Sequence, residues 1–142
     1  MKPLFLALSF VLLTTCSQNS VNNENCKYLL NVDVNVAVNL SLPQYSQLQF
    51  VSNSVYISNA GNAGIIVTNA GSGYFAWDAS DPNHTPSSSC HLEISGLEAT
   101  CGCADGNTYS LVNGQPLGDS SLLCGLKNYR IDVSGNILYI TN

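Results

Sequence analysis

Asn31-Val32-Asp33-Val34-Asn35-Val36-Ala37-Val38-Asn39-Leu40-Ser41-Leu42 carries a valine or leucine at every even position, with polar or small residues between them. Successive side chains of a strand point to opposite faces, so this period of two predicts a long strand over residues 31–42 with one buried face. Pro43 has no backbone N–H to give a neighbouring strand and ends it. Further along, residues 47–51 and 54–58 are short apolar stretches broken by Ser52-Asn53 and predict modest strands. Ile65-Ile66-Val67-Thr68 is a β-branched run suited to a central strand, and Tyr74-Phe75-Ala76-Trp77-Asp78 follows as another. The glycines at 61, 64, 71 and 73 lie between these runs; with no helical period and no Gly-Lys-Ser after them, they predict turns of hairpins rather than a phosphate loop.

The remainder continues the pattern. Residues 108–112 predict a strand, Asn113-Gly114 a type I′ turn, and residues 129–133 and 136–141 a closing hairpin around Ser134-Gly135. No stretch of a dozen residues beyond the amino-terminal apolar run has a helical period, so the predicted fold class is all-β, small strands in stacked antiparallel sheets. A chain of 142 residues allows one such domain. The net charge of −5 with four Lys and Arg excludes nucleic acid as a partner, because there is no basic face to displace counterions from phosphates.

At the amino terminus, Lys2 precedes an apolar run over 4–13 that is too short to span a bilayer and has the length of a signal-peptide core. Leu13-Thr14-Thr15-Cys16 follows and resembles a bacterial lipobox, which implies removal of residues 1–15 and acylation of Cys16. An ordinary secretory signal with an incidental cysteine is the alternative. Acyl chains contribute about 0.8 kcal/mol per buried CH2, so two or three make a stable anchor to membrane lipid. Residues 16–30 then predict a polar tether too poor in apolar side chains to fold, and residues 31–142 the β domain.

Chemistry concentrates between Asp81 and Asp105. Here lie both histidines, His84 and His91, and three cysteines, Cys90, Cys101 and Cys103. Export makes disulfides the default, but once Cys16 is lipidated the remaining five cysteines are an odd number, so one is left unpaired or bound to something else. Spacing leaves the pairing open.

From Gly73 onward the order of pieces resembles the Rieske iron-sulfur domain. An aromatic strand ending Ala76-Trp77-Asp78 leads to Asp81-Pro82-Asn83-His84, then sixteen residues to Cys101-Gly102-Cys103-Ala104. Tyr109-Ser110-Leu111, the turn Gly114-Gln115-Pro116, and Leu126-Lys127-Asn128-Tyr129-Arg130-Ile131 before the last hairpin match the family's closing pattern, and the resemblance covers about residues 32–141. It implies a Rieske-like domain of small stacked sheets and two loops that clamp a 2Fe-2S cluster with two thiolates and two imidazoles. His84 matches the first-loop histidine and Cys101 the second-loop cysteine, one ligand for each iron. Asp81 stands at the first-loop cysteine position with one extra residue before the histidine, and Ala104 replaces the second-loop histidine. Asp105, Cys103, Cys90 and His91 are the neighbours available as substitutes. The resemblance further implies a disulfide between the loops, Cys90 to Cys103; a Cys26 to Cys124 bridge would then leave Cys101 as the odd thiol.

Other readings of the segment are a single zinc or copper ion on His84, His91 and Cys101, and a redox dithiol at Cys-Gly-Cys, whose spacing is one residue shorter than the usual motif. Tyr74, Phe75 and Trp77 can line a groove or serve the core. Nothing marks a hydrolytic triad or a glycosidase carboxylate pair, and no residue is assigned to catalysis. The expectation is a lipid-anchored protein of the bacterial envelope, periplasmic or outer-membrane side. It carries a Rieske-like domain without its cluster, acts as a non-catalytic accessory or binding module, and has an envelope protein as partner. A 2Fe-2S electron-transfer protein with substitute ligands and a mononuclear metal binder are the alternatives.

Overall fold

In the computed structural model, which describes residues 26–87 and 89–142, the alternation at 31–42 survives as burial but only partly as hydrogen-bonded strand. Val34, Val38 and Leu40 are buried and Val32 and Val36 pack against the same core, yet β1 covers only Asn35–Asn39. Its partner β10 (Ile137–Thr141) ends opposite Asn35, and beyond that point the Asn142 side chain takes over, its Oδ1 accepting from the Val34 N–H at 3.0 Å. At the other end the Leu42 N–H turns back to the Asn39 carbonyl, which leaves Leu42 exposed.

The strand expected over 47–51 is instead a 3-10 turn, Ser46–Gln49. Only Leu48 of this stretch is buried, while Phe50 and Val51 are exposed, so a single apolar anchor was available and no face to bury. The Asn69 side-chain amide donates to the Leu48 carbonyl, and that of Gln49 to the Leu40 carbonyl, satisfying groups a strand ladder would otherwise use. The chain continues through β2 (Ser54–Ile57), β3 (Ile65–Asn69) and β4 (Tyr74–Asp78). With β9 (Asn128–Ser134) they form an antiparallel six-stranded sheet of order β1-β10-β9-β4-β3-β2. A second, four-stranded sheet runs β5 (Leu92–Ser95), β6 (Glu98–Cys101), β7 (Thr108–Ser110), β8 (Pro116–Leu117). The fold is all-β, in stacked antiparallel sheets.

Strands β3 and β4 separate two cores, which explains why β3 is buried at every position. Ile65, Val67 and Ala76 point to a core shared with Val38, Val55, Tyr129, Leu138 and Ile140. Ile66 and Trp77 point the other way, against Leu92, Ala99, Tyr109 and Leu111 of the second sheet. Burying each such side chain stabilises by roughly 1.5–3 kcal/mol, so a strand with two apolar faces holds both layers together. Trp77 therefore belongs to the core rather than to a groove, and its indole N–H donates to the Leu111 carbonyl at 2.9 Å.

The turn at Asn113-Gly114 is not type I′, which requires positive φ at both central residues. Gly114 has φ +72°, but Asn113 is not among the positive-φ residues, and the Ser110 N–H reaches across to the Gln115 carbonyl. Gly114 is needed for another reason: a Cβ there would lie 2.6 Å from the buried Trp77 ring. The described end of the expected tether, residues 26–30, is tied down. Cys26 is bridged to Cys124, and Leu30 exchanges hydrogen bonds with the Asn62 side chain. Residues 1–25, including the expected signal segment and Cys16, lie outside the described residues.

Candidate functional site

Two loops meet at the edge of the second sheet. The first leaves β4 and returns at β5; the second joins β6 to β7. Several links hold them. Cys90 and Cys103 form a disulfide with Cα atoms 5.3 Å apart, the Gly102 N–H donates to the His91 carbonyl, and Leu92 pairs with Cys101 at the base of the hairpin. Cys101 is the last residue of β6 and a buried free thiol.

Asp81 is the fixed point of the first loop. Its side chain is fully buried, and a buried carboxylate requires donors around it. The Tyr109 hydroxyl donates to Oδ1 at 2.7 Å and the Asn83 N–H to the same oxygen at 2.8 Å, closing an Asx turn through Pro82. The Asn107 amide, from the second loop, donates to Oδ2 at 2.9 Å and to Asp105 Oδ2 at 3.1 Å. Asn83 extends the network: its side-chain amide donates to the Tyr109 oxygen and to the Cys124 carbonyl, and its Oδ1 accepts from the Cys124 N–H. Burial, and after it the hydrogen bond to Asp81, pushes the Tyr109 phenol far above its ordinary value, so it remains a donor.

The Asx turn aims His84 into the space between the loops. Its Nδ1 lies 2.9 Å from the Thr85 carbonyl oxygen, which can only accept, so Nδ1 carries the proton. Nε2 lies 3.3 Å from Cys101 Sγ, 3.3 Å from Asp105 Oδ2 and 3.6 Å from Asp81 Oδ2. These four donor atoms all fall within 4.8 Å of one another. Burial pushes the Cys101 thiol up to about 12, and a backbone hydrogen bond from Cys103 offsets this only in part. A neutral thiol of that kind is a poor nucleophile, and Cys103 is already bonded, so Cys-Gly-Cys is not a redox dithiol.

Two other candidates stand apart. Ala104 is exposed in the turn of the second loop and offers no donor. His91 does not join His84 and Cys101 on an ion, because its ring stacks on Tyr56, centroids 5.0 Å apart, beside a cavity of about 280 Å³ that also includes Asn59 and Asn62. Asp81 and Asp105 occupy the place that reading gave to His91. Sequence reasoning quoted Asn83 and Tyr109 only as parts of motifs and gave neither them nor Asn107 a role at the site, since turn asparagines and a strand tyrosine carry no signal of shared purpose.

No family model matches the chain, and no curated protein matches it. Among solved structures, it is similar to a chain of a complex of reduced oxygenase and oxidized ferredoxin in carbazole 1,9a-dioxygenase. That likeness has 17% identity and a TM-score of 0.49, covering 79% of this chain and 94% of that one. It is also similar to the ferredoxin of carbazole 1,9a-dioxygenase from Nocardioides aromaticivorans IC177, at 14% identity and a TM-score of 0.48, covering 77% and 96% respectively. Likeness at this level assigns neither cofactor nor activity to this chain.

The pairing of the cysteines is open to direct measurement. Peptide mapping of unreduced, alkylated protein is expected to recover Cys26 joined to Cys124 and Cys90 joined to Cys103, with Cys101 alkylated only after unfolding. A peptide joining Cys101 to Cys90, whose sulfurs lie 3.4 Å apart, would reverse the assignment of the free thiol.

Proposed function

We propose that this is a Rieske-like β domain, held on the bacterial envelope by a lipid on Cys16, whose two loops have given up the 2Fe-2S cluster and serve as a non-catalytic accessory or binding module for an envelope protein. The observation that carries this reading is the contact between His84 Nε2 and Cys101 Sγ at 3.3 Å. In the family's arrangement those two residues serve different irons of a sulfide-bridged pair, so the cluster has to lie between them. The contact supports the reading that no cluster separates them.

The substitute ligands give little help to a cluster. Cys90 and Cys103 are spent on each other, and His91 is stacked on Tyr56. Asp105 does face the site, but a hard carboxylate is a poor replacement for thiolate on iron bridged by sulfide. Asp81 accepts from Tyr109, Asn83 and Asn107, and this polar network joins the loops without a cluster. These features favour the module over an electron carrier.

Iron and acid-labile sulfide content decides between the two. Protein isolated from the membrane fraction, before and after anaerobic reconstitution, is expected to be colourless and to lack both. About two irons and two sulfides per chain with a red-brown colour would establish the electron carrier instead. In the same preparation Cys16→Ser is expected to leave the membrane fraction, and retention there would remove the lipid anchor.

A further inference from the structure

We propose that the two loops bind a single divalent cation of the zinc class, ligated by Asp81 Oδ2, His84 Nε2, Cys101 Sγ and Asp105 Oδ2. This rests on the reading that the loops no longer hold a cluster. Distances around His84 fit one ion: bonds of about 2.0–2.3 Å in a tetrahedron place an imidazole nitrogen about 3.4–3.6 Å from its neighbours, and all four donor atoms lie within 4.8 Å of one another. From His84 Nε2 the three other donors lie at 3.3, 3.3 and 3.6 Å.

The Thr85 carbonyl engages His84 Nδ1, and Nε2 faces two carboxylate oxygens and the Cys101 sulfur. A divalent cation between them would be met by all four donor atoms at once. The outer contacts are those of a ligand cage. Thr85 sets the tautomer of His84, Asn107 orients the two ligating carboxylate oxygens together, and Tyr109 and Asn83 occupy Asp81 Oδ1 while leaving Oδ2 turned inward. One sulfur, one imidazole and two carboxylates suit zinc better than calcium or magnesium, which take oxygen alone. Four protein ligands close the shell, so the ion's role is structural. On binding, the metal–sulfur bond replaces the S–H bond of Cys101 and one proton goes to solvent.

A second group of donors, His84, Cys90, Cys101 and Cys103, also lies within 4.8 Å, but it becomes available only when the Cys90–Cys103 bridge is reduced. The test therefore uses full-length, metal-free protein with both bridges intact, titrated with cobalt(II) in the absence of reductant. The expected result is saturation at one equivalent with tetrahedral cobalt absorption and a thiolate-to-cobalt band, all displaced by zinc. Cys101→Ser should abolish the thiolate band. Asn107→Ala, which touches no metal, should weaken binding by about 10–100-fold while keeping the same spectrum, as loss of a positioning contact does. His91→Ala should change neither. No cobalt uptake would overturn the site, while the cluster-free module would stand. Uptake only after reduction, or a thiolate band that survives Cys101→Ser, would overturn the ligand set. Iron with sulfide in the isolated protein would instead remove the reading beneath it.

Discussion

Replacing Cys26 and Cys124 together by serine is expected to lower the unfolding free energy by about 4.7 kcal/mol and the melting temperature by roughly 10–20 °C. The bridge spans 98 residues, nearly the whole described domain, so it removes more freedom from the unfolded chain than a short loop would. The Cys90–Cys103 bridge spans 13 residues, and the same chain-entropy reasoning gives it about 3 kcal/mol. Its loss should therefore cost less than loss of the long bridge. The long bridge also stands behind the site. Cys124 is buried, the Asn83 side chain holds both its N–H and its carbonyl, and Asn83 in turn donates to Tyr109 beside Asp81. Freed from Cys26, that segment has fewer contacts to keep Asn83 in place, so cobalt binding should weaken alongside stability. Urea unfolding of the two double variants is the measurement. A loss below about 1 kcal/mol for the Cys26/Cys124 pair, or a larger loss for the Cys90/Cys103 pair, would show that loop length does not set the order.

Much of this architecture was legible because β-structure writes itself as alternation. The even-numbered valines of 32–38 with Leu40, the unbroken β-branched run at 65–67, and the closing hairpin each announce which faces are buried, and those faces form the cores. Local turn chemistry misled where tertiary packing decided the backbone. Gln47-Leu48-Gln49-Phe50-Val51 looks extended in composition, yet only Leu48 finds a core. Asn113-Gly114 has the residues of a tight hairpin, yet Trp77 fills the space against Gly114 and the turn is longer. At the site, the crowding of donors between Asp81 and Asp105 was visible in the sequence, but their grouping was not. Cys101 ends a strand while Cys103 and Asp105 lie beyond it, so alternation no longer tells which side chains face inward. The orientation of His84 comes from the Asx turn at Asp81 and from the Thr85 carbonyl, and which backbone carbonyl a ring nitrogen meets has no signature in residue type.

A second buried carboxylate carries the other large effect: Asp78→Ala is expected to cost about 3–5 kcal/mol. Asp78 closes β4, where sequence suggests only the polar end of an aromatic strand, and it is fully buried. Its Oδ2 accepts from the Tyr129 hydroxyl at 2.6 Å, from the Asn62 N–H at 2.8 Å and from the Asn62 amide at 2.9 Å, and its Oδ1 from the Ser80 N–H at 2.9 Å. Alanine would leave these donors with no acceptor, at about 1–3 kcal/mol for each that stays dry. The turn preceding β3 is built on the same oxygen, since a Cβ on Gly61, at φ +68°, would approach it to 2.8 Å. Asp78→Asn should cost less, because an amide oxygen can still accept from Tyr129, although its NH2 must then face a donor of Asn62 or Ser80. Burial, followed by the bond to Asp78, raises the Tyr129 phenol above its ordinary 10.0. A group raised on folding contributes stability that is fully present below about pH 10 and is lost as pH climbs through the higher folded value. Wild-type protein should therefore lose stability on the alkaline side as Tyr129 is forced to ionise, and Tyr129→Phe should show a shallower decline. If urea unfolding finds Asp78→Ala within about 1 kcal/mol of wild type, the carboxylate is not what holds the 60–64 turn to β9.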